Sequence, residues 1–145
     1  MKSGLSLAMR QVLATALVTD WTDTAAGATL ELFQNDIVPG PMVAIADFTE
    51  CDFVGYARKT AIVNWATFND APTGDQIIES PTVQVFAAGA IVSPQTAYGW
   101  LLLDNARTEL LAWGRLDVPY AFLANGDKLA VYVNARLLLN TGQTA

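Results

Sequence analysis

Residues 128–139 alternate with a period of two. Leu129, Val131, Val133, Ala135, Leu137 and Leu139 fall on one side, and Lys128, Ala130, Tyr132, Asn134, Arg136 and Leu138 on the other. Successive side chains of a strand point to opposite faces, so this pattern predicts a β-strand with one buried and one half-polar face. Asn125-Gly126-Asp127 just before it is the clearest turn in the chain. A chain ending this way must supply further strands to cover the apolar side.

The preceding sequence supplies them. Residues 29–34 (TLELFQ) read as a first strand, closed by Asn35-Asp36, and Val38-Pro39-Gly40-Pro41 reads as a rigid turn. Residues 56–68 read as a long strand bent near Asn64; residues 71–75 as a turn; residues 76–79 and 82–88 as two more strands. Residues 96–103 (TAYGWLLL) are apolar on both faces, which predicts a central strand covered on two sides, with Tyr98 and Trp100 sharing one face. Asp104-Asn105-Ala106-Arg107 reads as a hairpin loop, and residues 108–116 as the returning antiparallel strand. About eight strands at this spacing predict an all-β chain, an antiparallel sandwich or jelly roll.

Residues 1–28 are different. Leu5, Met9, Val12, Leu13, Ala16 and Leu17 recur at helical spacing, compatible with a short amphipathic helix or an extended arm. The domain organisation expected is an N-terminal arm, 1–28, and one β-sandwich domain, 29–145. Lys2, Arg10 and the apolar run after them faintly resemble a signal peptide, but Arg10 lies too close to that run. No stretch approaches the ~20 apolar residues that cross a bilayer, so no membrane partner is expected.

Composition narrows the function. Charged residues make up 15% and apolar residues 52% of the 145 residues, whereas about a quarter of an ordinary domain is charged. So little charge predicts surface hidden against other subunits, with a well-filled core as the alternative reading. The net charge is −6, and eight Lys and Arg in no run cannot build a stripe for phosphates, so nucleic acid is not an expected partner. There is no histidine and one cysteine. His-based general base catalysis, His/Cys zinc sites and internal disulfides therefore drop out together. Cys51 reads as a small packed residue.

No other chemistry takes their place. Asp47, Glu50 and Asp52 crowd together but lack the alternation of a calcium loop. Asp70, Asp75 and Glu79 lie in or near turns, and nothing marks out a glycosidase pair among them. Nucleophile-elbow, S-x-x-K and phosphate-loop motifs are missing. We expect no catalytic residue, no metal and no cofactor. Four Trp and four Tyr remain, suited to a core, to subunit interfaces or to a sugar platform.

Residues 47–57, DFTECDFVGYA, carry the most specific local pattern. Thr49 and Asp52 fit a capping box, Phe48 and Phe53 a hydrophobic staple, and Gly55 the end of one helical turn. This corner, the Leu30-Glu31-Leu32-Phe33 strand, Tyr98-Gly99-Trp100-Leu101-Leu102, Leu110 to Leu116, and Asn125-Gly126-Asp127-Lys128-Leu129-Ala130-Val131 occur in an order that resembles a group of small tailed-bacteriophage virion proteins. The likeness covers residues 29–134. It implies a structural, non-enzymatic protein of the virion: a capsid decoration (cement) protein, or a tail fibre or receptor-binding module recognising host glycans. Short loops and low charge favour cement. The expected partners are the major capsid protein and further copies of the chain, as a homotrimer on the outer capsid surface after synthesis in the host cytoplasm. The arm residues Met9, Val12, Leu13, Leu17 and Trp21 are the candidate partner-binding set.

Overall fold

Strand β1 (Ala28–Phe33) is buried along its whole length because its two faces belong to two different apolar clusters. Leu30 and Leu32 point into the larger cluster, and Phe33 into the smaller. The computed structural model describes residues 11–13, 16, 27–40, 42–69, 75–91 and 93–137. Following β1 are β2 (Lys59–Ile62), β3 (Ala66–Asn69), β4 (Gln76–Glu79), β5 (Gln84–Ala87), β6 (Gln95–Leu103), β7 (Leu110–Phe122), β8 (Lys128–Val131) and β9 (Asn134–Leu137).

Every pairing is antiparallel. The sheets are four-stranded, β2-β1-β6-β7; three-stranded, β3-β4-β9; and two-stranded, β5-β8. All three send side chains into the larger cluster: Leu30, Leu32, Leu102 and Phe122 from the first, Ile78 from the second, Phe86 and Val131 from the third. This is the all-β antiparallel sandwich that the sequence predicts. Strand β6 lies between β1 and β7, with Leu102 in one cluster and Leu101 and Leu103 in the other, as a strand apolar on both faces requires.

Two runs read as single strands are each divided between sheets. Residues 56–68 give β2 in the first sheet and β3 in the second, with Ala61 (φ 56°) and Asn64 (φ 64°) in left-handed conformation at the crossing. The Trp65 indole N–H donates to the Ile62 carbonyl at 3.0 Å and pins that corner. Residues 128–139 give β8 in the third sheet and β9 in the second. Val131 and Val133 are both buried, so the alternation marked the inward residues without marking the change of sheet. A bulge between Ala97 and Gly99 likewise separates Tyr98 from Trp100. Tyr98 packs on the smaller cluster and Trp100 on the larger, so they do not share a face.

The helical turn lies earlier than its motif suggested. Ile45–Asp47 form one 3-10 turn, and the Asp47 carboxylate accepts from the Ala44 N–H at 2.8 Å. Residues 49–51 are extended instead: the Gln34 N–H donates to Thr49 O and the Cys51 N–H to Leu32 O, both at 2.8 Å. They line the end of β1 beyond the reach of β2. Phe48 and Phe53 form no staple, because Phe48 packs on Phe33 and Phe53 stacks on Phe122 at 4.0 Å, in different clusters. Gly55 (φ 88°) serves a β-turn closed by the Tyr56 N–H on Phe53 O. Residues 11–13 and 16 are helical and exposed.

Candidate functional site: a buried ionic cluster and an exposed apolar fringe

The smaller face of the first sheet also holds a carboxylate, Glu31, which is 1% exposed. A buried charge persists only where counter-charges and hydrogen bonds replace water. Two arginines supply them. Arg107, in the loop joining β6 to β7, sets both Nε and Nη2 on Glu31, the latter at 3.0 Å. Arg58, just before β2, places Nε 3.0 Å from the same carboxylate. Arg58 also holds Glu50 in a bidentate pair, each bond 2.7 Å. Tyr56 completes the cluster, its hydroxyl accepting from the Leu32 N–H at 3.2 Å and donating to Glu50 at 3.0 Å.

Burial acts to raise the Glu50 pKa, but the bonds from Arg58 and Tyr56 and the charges of both arginines outweigh it and hold the carboxyl below its ordinary value. Burial drives the Tyr56 hydroxyl upward. The bond to Glu50 raises the Arg58 guanidinium. Glu50 is thus ionised and Tyr56 neutral around pH 7, an arrangement that fastens three segments together. A shallow depression of about 380 Å³ opens over this corner, lined by residues 50–53 and 56–58. Cys51 beside it is buried, its thiol pushed up to about 12 chiefly by that burial, so it stays protonated.

The other acidic candidates are occupied as well. Asp52 accepts from Gln95 at 2.7 Å and from Gln34 at 3.4 Å. Glu79 accepts from Tyr132 and Asn134, and Asp75 is buried. Asp70 lies outside the described residues. Among the described residues no group of three or more Asp, Glu, Cys or His is placed to hold a metal ion. Nor is any helix there long and apolar enough to cross a membrane.

Of the arm set, Val12 (60% exposed) and Leu13 (40%) lie on a helical segment, while Met9, Leu17 and Trp21 fall outside the described residues. Sequence reasoning missed Glu31, Arg58, Arg107 and Arg115. The available signal was Glu31 itself, one carboxylate in a strand otherwise suited to burial. Arg115 donates to the Asp36 carboxylate at 2.8 Å and to the Ile37 carbonyl, fixing the loop after β1 against β7. Three highly exposed apolar side chains lie in sequence near that anchor: Val38, Met42 and Val118, at 82, 92 and 78%. Among the described residues, Arg58, Arg107 and Arg115 thus pair internally, while apolar groups remain outside.

Compared with known proteins, this chain matches no family model, no curated protein sequence and no solved structure.

Proposed function

We propose that this chain is a virion structural protein, a capsid decoration protein that assembles as a homo-oligomer and stabilises the coat shell, without catalysis. The observation that carries this reading is the inversion of its surface chemistry. Arg58, Arg107 and Arg115 are turned onto the protein's own carboxylates, whereas Val38, Met42 and Val118 stand in solvent. Exposed apolar side chains on tied-down loops suit a broad, permanent contact. The order of motifs resembling small phage virion proteins points the same way.

A glycan-binding fibre module has thinner support. Among the described Trp and Tyr, only Trp113 and Tyr132 are exposed, and the Tyr132 hydroxyl is bound to Glu79. Co-sedimentation of the purified chain with bare coat shells tests the proposal. Saturable binding, weakened by Val38→Ser with Met42→Ser and by removal of residues 1–20, is expected. No binding to shells, or a glycan-array signal lost on Trp113→Ala, would turn the reading over.

A further inference from the structure

Strand β7 has 13 residues and lies at the edge of the first sheet, paired with β6 on one side and with no second strand among the described residues. Edge strands are ordinarily kept from pairing by shortness, lysines, inward charges or bulges. The second half of β7 is guarded in this way. Four of its residues, Leu116 to Pro119, pass a single residue of β6 as an extended bulge that includes a proline without an N–H. The first half has no lysine, and its one charge, Arg115, is turned back to Asp36 and Ile37. Both apolar clusters also run out at this edge: Leu110 is half-buried on the smaller, and Leu111 and Ala112 on the larger. Trp113 beside them is 40% exposed.

We infer that this edge pairs with the same edge of a second copy, antiparallel and centred on Gly114. A two-fold axis normal to a continuous sheet must pass through a residue opposite itself. The regular run of pairing with β6, Ala112 to Arg115, limits the choice. Gly114 is side-chain-free because the Trp100 ring lies 2.5 Å from where its Cβ would stand, so on that face the Trp100 indole, and no side chain of residue 114, lies nearest the axis. With Gly114 there, Trp113 faces Arg115 of the second copy, twice, and Ala112 faces Leu116. A guanidinium bonded in its own plane to Asp36 and Ile37 still offers its flat face to an indole. The pairing deepens the self-association within the capsid reading, yet needs no shell. It predicts two copies, where the sequence alone suggested three.

Light scattering and sedimentation of the full chain between micromolar and hundreds of micromolar concentration test it. The wild type is expected to dimerise. Trp113→Lys, which sets an ammonium opposite Arg115, weakens association at least about tenfold, as removal of a central aromatic anchor does. Val83→Lys, exposed just before β5 and remote in the sheet order from this edge, leaves the dimer intact. Hydrogen exchange on the wild type needs no substitution: amides in residues 110–116 lose protection on dilution. A wild-type monomer throughout, a trimer, a dimer that survives Trp113→Lys, or exchange indifferent to dilution would overturn the pairing. A dimer that ignores coat shells would uphold it and sink the capsid reading instead.

Discussion

Arg107, at φ 58°, folds the β6–β7 loop back so that its guanidinium closes over the buried carboxylate of Glu31, 76 residues earlier in the chain. A left-handed backbone at a residue with a Cβ costs roughly 1–2 kcal/mol. The loop tolerates it because Asp104 fixes the far side, accepting from the N–H groups of Thr108 and Glu109 at 2.7 and 2.8 Å. Arg107→Ala loses the ion pair and keeps the strained backbone, whereas Arg107→Gly loses the pair and relieves the backbone. Both are expected to destabilise, with the glycine variant the more stable of the two by on the order of 1 kcal/mol. Urea unfolding of both reads this directly; an equal or reversed order would show that the backbone is unstrained.

Tyr56→Phe removes one hydroxyl and strands the Leu32 N–H, while the Glu50 oxygen that it served keeps its bond from Arg58. A part-buried donor stranded in this way costs about 1–3 kcal/mol. Thermal melting of the variant measures it, and an unchanged midpoint would mean that water takes the hydroxyl's place.

Acid should loosen the same corner. Glu50 has its folded pKa held below the ordinary value of 4.5. Such a group contributes stability that is fully present above its unfolded pKa and disappears as pH falls through the folded one. Asp104 and Asp127 are also lowered, by backbone N–H bonds from Glu109 and from Leu123 and Ala124, and act in the same direction. The urea midpoint is therefore expected to be flat from pH 7 to about pH 5 and to fall below it. Glu50→Gln should be less stable at pH 7 and show a shallower acid decline. A decline beginning near neutrality would point to a different group.

Cys51 offers a probe of unfolding. Its thiol is buried and raised to about 12, so a thiol reagent at pH 8 meets almost no thiolate in the native protein. Labelling is expected to follow global opening and to accelerate with urea. Rapid labelling of native protein would mean that residues 50–53 open on their own.

The inward-facing residues were legible in the sequence, and the sheet each strand joins was not. Period-two alternation marks burial, and Val131 and Val133 obey it across the very point where the chain changes sheets. Tyr98 and Trp100 fail the same rule because β6 loses its regular register with β7 at Tyr98, where the extra residues lie on the partner strand and leave no mark in the β6 pattern. In the corner, the cap bond is made by Asp47 to the Ala44 N–H, while Asp52, the residue that the Thr49 motif singled out, is engaged by Gln34 and Gln95. The ionic cluster was hidden for another reason. Its members are spread from Glu31 to Arg107: residues 49–51 and β2 bring Glu50, Tyr56 and Arg58 to one edge of β1, and Arg107 arrives only with the long-range pairing of β1 with β6.

That pairing also sets an order of events. Leu30 meets Leu102 and Leu32 meets Trp100, so the first strand finds its inner neighbour only after some seventy further residues exist. The β3–β4 and β6–β7 hairpins are the local elements able to form early, and β1 must then be captured onto β6 across a long closed loop. Folds dominated by such distant pairings assemble in roughly milliseconds to seconds. On the ribosome, residues 49–51 and β2 can reach one edge of β1 early, and its other edge stays open until β6 has emerged.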